Sequence, residues 1–225
     1  MKNLKFILLF FGCTLFLNAQ DKSEDIEEFS ELKIFNGLDV EIERSNQAKI
    51  EISGEKAEEV SIKYVKKVLK ISVKLHDKFK PKDLKIKVYY NHDILILDAN
   101  EGASIVSDIA IKQDNLTIKT QEGAFIQTPV DVNSLTIKVV SGSNIKVSGK
   151  ADKQKVEVTT GGSYEAYDLA TKNTEVVSAS GGKAEIKVSG VLDAKVRFGG
   201  NIHYKGNPEK VNSKTIMGGN IKNKG

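Results

Sequence analysis

The sequence predicts an all-β fold, a right-handed parallel β-helix-like stack of coils about nineteen residues long, preceded by an N-terminal β-strand layer. Three observations predict it. A small Gly-rich turn recurs at Gly102, Gly123, Gly142, Gly161, Gly181, Gly199 and Gly218, with separations of 21, 19, 19, 20, 18 and 19 residues. Three residues after each marker stand Ile105, Ile126, Ile145, Tyr164, Ala184, Ile202 and Ile221, and every one can face a core. Five and three residues before each marker come Leu97/Ala99, Ile118/Thr120, Ile137/Val139, Val156/Val158, Val176/Ser178, Ala194/Val196 and Ser213/Thr215, the period-two alternation of half-buried strands.

Two architectures share this period. In a meander each Gly turn would close an antiparallel hairpin, and nothing would keep one position aliphatic in register across six gaps. In a β-helix that position is an internal ladder, with equivalent residues about 4.8 Å apart, and its register must persist. The persistent register favours the β-helix. Insertions fall in the polar links, such as 131–134, 150–154 and 170–173. The last period weakens into Ser213 and an Asn/Lys/Gly ending, as a terminal repeat does.

The chain reads in order as follows. Residues 1–20 have the layout of a signal peptide: Lys2 and Lys5, an apolar run from Phe6 to Leu17, then Asn18-Ala19-Gln20 before a charged stretch. The run is too short to span a bilayer comfortably. Cleavage before Cys13 would leave apolar Thr14–Leu17 on the mature chain, which argues against lipid anchoring there. Without this segment the chain has no cysteine, hence no disulfide and no thiol nucleophile. Residues 21–28 form a flexible polar N-terminus. Residues 29–95 form the strand layer, with Leu32/Ile34, Leu38/Val40/Ile42, Ile50/Ile52, Leu69/Ile71/Val73/Leu75 and Leu84/Ile86/Val88 as strands. Asn36-Gly37, Ser45-Asn46, Ser53-Gly54 and Lys80-Pro81 are the turns between them. Val60–Tyr64 fits a strand or a helical turn. Residues 96–222 are the repeat coils, and 29–222 make one β domain.

This layout resembles the GIN domain, described as a putative auto-transporter adhesin head domain. The resemblance rests on Asn36, Gly37, Leu38 and Val40, then Ile50, Ile52 and Gly54, then Leu69, Ile71 and Val73, and finally Gly206, Pro208 and Val211. It spans roughly 29–222. It implies a secreted or envelope β-helix-like domain and brings no catalytic residues with it.

Charge excludes some partners. Removing residues 1–20 takes away two lysines and no acids, so the remaining chain carries 32 basic and 30 acidic side chains, a net +2. The charges are scattered, without the basic cluster and interleaved aromatics of nucleic-acid binders. No second apolar run is long enough for a membrane helix. For catalysis through a Ser-His-Asp set the bases would be His76, His92 or His203, and each reads as a surface residue. Converging metal ligands are lacking, and no cofactor motif is present. The strongest enzymatic candidate is Glu101 with Glu122, each preceding a marker Gly, because coil stacking could place them about 5 Å apart. The equivalents that follow are Ser141, Thr160, Ser180, Phe198 and Met217, so the acidic ladder stops at two and reads more simply as solvated turn residues.

A binding surface is the better reading. Tyr167 and Tyr204 fall in late coils where outward rings would stack on sugar faces or anchor a protein interface. The sequence therefore predicts an exported, non-enzymatic binding or adhesion module of the periplasm or cell surface, contacting carbohydrate or an envelope protein. The alternatives are a carbohydrate-active enzyme on a β-helix and a structural subunit that packs into a homo-oligomer.

Overall fold

A computed structural model describes residues 22–55, 57–73 and 84–225. The signal peptide, Cys13, Leu75, His76 and the Lys80-Pro81 turn lie outside the described residues. The described chain is all-β apart from one 3-10 turn at Ala57–Glu59. Short strands come first: β1 (Lys22–Asp25), β2 (Glu31–Ile34), β3 (Asp39–Arg44), β4 (Lys49–Ser53), β5 (Val60–Val65), β6 (Val68–Val73), β7 (Lys85–Tyr90), β8 (Ile96–Ala99) and β9 (Ser104–Val106). Long ones follow: β10 (Ile111–Thr120), β11 (Phe125–Val139), β12 (Asn144–Val158), β13 (Ser163–Ala179) and β14 (Lys183–Arg197). The last coil holds β15 (Asn201–Lys205), β16 (Lys210–Ile216) and β17 (Asn220–Asn223). Val60–Tyr64, open between two readings in the sequence, is strand.

The long strands pair in parallel, each with its equivalent one coil on, so the stack is a β-solenoid and not a meander. The position three residues after the turn forms an unbroken row, Val40–Ile105–Ile126–Ile145–Tyr164–Ala184–Ile202–Ile221. Ile105 through Ile202 in that row are fully buried. A second row runs Leu32–Leu97–Ile118–Ile137–Val156–Val176–Ala194–Ser213 on the opposite side of the turn. Volumes compensate along the rows: Tyr164, the largest rung, lies between Ile145 and the small Ala184.

Each turn is two successive residues in the left-handed region. Asn36, Glu101, Glu122, Ser141, Thr160, Ser180, Phe198 and Met217 have φ between 48° and 60°, and the marker glycine after each has φ between 66° and 82°. Such a pair is the type I′ turn that usually closes a hairpin. Here the flanking strands pair instead with neighbouring coils, so the turn serves as a corner. The turns also bond to one another: the N–H groups of Gly37, Gly102, Gly123, Gly142 and Gly161 donate to the carbonyls of Glu101, Glu122, Ser141, Thr160 and Ser180 at 2.9–3.2 Å. Backbone pairing thus continues through the corner.

The stack reaches into the N-terminal strands. Gly37 is a marker glycine whose spatial successor is Gly102, 102 − 37 = 65 residues on. The chain between β3 and β8 leaves the stack, builds β4–β7, and returns. β6 and β7 pair in parallel with β2 and β3 on their outer side. β4, β1 and β5 then close that end in antiparallel pairings.

The interior also holds a polar network. The Tyr164 hydroxyl donates to Gln154 Oε1 at 3.1 Å, and Gln154 Nε2 donates to the Thr171 and Thr174 hydroxyls at 3.2 and 3.0 Å. Thr171 Oγ1 donates to the Lys187 carbonyl at 2.6 Å. All four side chains are buried, and burial pushes the Tyr164 phenol far above its ordinary value, so it stays a neutral donor.

Two predictions follow from the rows and the corner. Ile145→Asp places an unpaired charge in the buried row and is expected to destabilise the domain by about 4 kcal/mol, lowering the thermal midpoint by about 10 °C in a circular-dichroism melt. An unchanged midpoint would refute the inward placement of that row. At Gly142 a β-carbon meets nothing, so Gly142→Ala costs only the left-handed strain, about 1–2 kcal/mol. At Gly149 it would run into the Val130 carbonyl at a φ of 101°, so Gly149→Ala is expected to be the more damaging of the two by chemical denaturation.

Candidate binding surface

The outward side of the second strand arm is where the stack departs from regularity. Across β12 and β13 the pairing steps from Lys146↔Glu165 to Gly149↔Leu169, one extra residue in β13. Across β13 and β14 it steps from Ala166↔Ile186 to Ala170↔Lys187, three extra residues in β13. β13 therefore bulges at 167–169, which bends the strand and re-aims its side chains. The bulge lines a cleft of about 260 Å³ with Tyr167, Asp168, Glu165, Glu185, Lys146 and Ser148.

The cleft has a defined electrostatic pattern. Lys146, Glu165, Glu185, His203 and Lys222 are register neighbours along successive coils. Glu165 accepts from Asn144 Nδ2 at 2.9 Å, and Glu185 is paired with Lys183 Nζ at 2.6 Å and lies 3.9 Å from His203 Nδ1. The Lys205 ammonium sits 4.5 Å from the centre of the half-buried Tyr167 ring, a cation–π contact. Burial and then the Glu185 carboxylate raise the Tyr167 phenol above its ordinary value. For His203, burial and then the Lys224 and Lys183 ammoniums outweigh Glu185 and lower the imidazole, so the neutral ring is favoured. Carboxylates beside a half-buried ring over which an ammonium sits can accept the hydroxyl protons of a polyhydroxylated ligand at the ring's exposed part.

The other sequence-predicted residues lie elsewhere. Tyr204 is the register neighbour of buried Ile186, so it occupies the inward row and packs against the core. Alternation from inward Ile202 puts His203 outward and Tyr204 inward, against the outward placement expected from the sequence. Glu101 and Glu122 are the leading residues of adjacent corners, both exposed, with the Glu101 side chain accepting from Asn36 Nδ2 at 2.6 Å. They stand apart from the Tyr167 bulge. His92 departs from the expected free turn: its half-buried ring packs edge-on against Phe29 at 4.8 Å and accepts the Phe29 N–H.

A larger hollow of about 720 Å³ lies near β1, β3, β4 and β7. Several of its ionic groups are paired with one another: Lys87 binds Glu41 and Glu43 at 2.8 and 2.7 Å, and Glu51 takes Lys49 and the Tyr89 hydroxyl. Among the described residues, no three His, Cys, Asp or Glu side chains converge as metal ligands, and no helix is long and apolar enough to cross a membrane.

The fold has solved counterparts. A putative adhesin from Bacteroides fragilis superposes with a TM-score of 0.83 at 19% identity, covering 92% of this chain and 97% of its own. A putative adhesin from Parabacteroides merdae gives 0.73 at 22%, covering 92% and 96%. A putative lipid binding protein from Parabacteroides distasonis gives 0.70 at 21%, again covering 92% and 96%. At such identities the likeness is one of fold. No curated protein sequence matches the chain. The model of one family does, over residues 28–208, and the protein belongs to that family, putative auto-transporter adhesin, head GIN domain.

Proposed function

We propose that the protein is an exported, non-enzymatic adhesion module of the periplasm or cell surface that contacts carbohydrate through the cleft at Tyr167. The observation that carries this reading is the bulge at 167–169, which breaks the coil-to-coil register and brings a ring and three carboxylates together. Bulges concentrate where a strand must re-aim a side chain toward a partner. Membership of an adhesin family supports the coarse function, and the name adhesin recurs among the solved structures of the same fold. Export is supported by the N-terminal segment, with Lys2 and Lys5 ahead of an apolar run.

A glycan array probed with residues 21–225, which include every described strand, tests the reading. Binding to a defined sugar class is expected, weakened at least tenfold by Tyr167→Ala and unchanged by Glu101→Gln with Glu122→Gln. Absence of any glycan binding, or binding that survives Tyr167→Ala, would overturn it.

A further inference from the structure

Each end of the stack leaves two strand edges without a partner among the described residues. At one end these are β16 and β17, which pair only inward, with β14 and β15. At the other they are β1, paired with β4, and β5, paired with β6. One side of the solenoid ends in β17 and β1, the other in β16 and β5.

On the side where β17 and β1 lie, the two ends carry opposite charge, although β5 at the second end carries Lys63. From Lys205 to Gly225 there are five lysines and one acid, Glu209. From Lys22 to Glu28 there are four acids, Glu24, Asp25, Glu27 and Glu28, against Lys22 alone. Asp25, Glu27, Glu28, Lys222 and Lys224 are exposed.

We propose that copies of this chain associate head to tail, β17 of one copy docking along β1 of the next. The two edges match in length, four residues each. An open edge is a template for another strand, and like charges on it prevent pairing with its own kind. Basic end against basic end repels, as does acidic against acidic, so only the head-to-tail arrangement brings complementary charges together. The other side adds no such attraction, because Lys210 and Lys214 on β16 would meet Lys63 on β5. The contact therefore belongs to the β17–β1 side. Such a joint is heterologous and propagates as an open file of copies, whereas a twofold dimer would set like ends face to face. The inference does not rest on the sugar reading: neither edge strand lines the Tyr167 cleft, although Lys222 of β17 continues the charged row that begins there at Lys146.

Sedimentation velocity of residues 21–225 over a range of concentration and salt tests the proposal. The average mass is expected to rise with concentration at low salt and to fall toward the monomer at high salt, where screening shortens the reach of the charges. Lys222→Glu/Lys224→Glu makes the β17 edge acidic like the β1 edge, and Glu27→Lys/Glu28→Lys turns residues 22–28 from a net −3 to +1, basic like the β17 edge. Each variant alone is expected to be monomeric, and an equimolar mixture is expected to recover association. Circular-dichroism melts of the variants separate loss of contact from loss of fold. A wild-type protein that stays monomeric at every concentration in low salt would overturn the proposal. So would an oligomer that persists in both variants, or two folded variants whose mixture stays monomeric.

Discussion

The structure depends on parallel pairing between coils one strand spacing apart. Each coil hydrogen-bonds to the next through nearly its whole length, corners included, so a residue's chemistry is fixed by the residues directly above and below it. That constraint explains why Ile126 and Ile145 sit in line, why polar residues collect outside, and why the turn glycine recurs. Adding a residue in the middle of a row would turn the following side chains to the wrong face. Extra residues are therefore confined to the outward links and to the β13 bulge.

Where the interior is not apolar, it is closed on itself. Tyr164, Gln154, Thr171 and Thr174 span the inside of the coil, and each polar atom meets another or a backbone carbonyl. A buried network of this kind is tolerable only when satisfied. Thr120 and Ser143 repeat the device nearby, their hydroxyls 2.9 Å apart. Other buried hydroxyls are satisfied by backbone, as Ser178 is by the Gly182 carbonyl at 2.7 Å.

Much of the fold was legible because the period is written in two independent signals, the marker glycine and the aliphatic residue three positions on. The first coil was hidden although its local pattern is complete: Leu32, Ile34, Asn36-Gly37 and Val40 reproduce the spacing of later coils. A search by interval misses it because the next coil in space begins 65 residues later. The site was less legible. Tyr167 stood out as an aromatic residue in a late coil, but the partners Glu165, Asp168 and Glu185 became a group only through the register slip of β13. Its trace in the sequence is the 20-residue interval between Gly161 and Gly181 followed by the 18-residue one to Gly199. Tyr204 misled because its half-buried state reflects the thin last coil, with only Asn223 beyond it in its row.

The detour between β3 and β8 also sets the order in which the molecule can assemble. Most contacts between coils join residues about 19 apart, as Ile118 does with Ile137, whereas Leu32 reaches Leu97 across 97 − 32 = 65 positions. Closing the longer loop costs about 1 kcal/mol more chain entropy than closing a single coil. The later coils can therefore zip from neighbour to neighbour, and the first coil is locked only when β4–β7 have returned. By chain entropy the N-terminal junction is the slower step to form, and damage there is expected to slow folding more than equal damage at the far end.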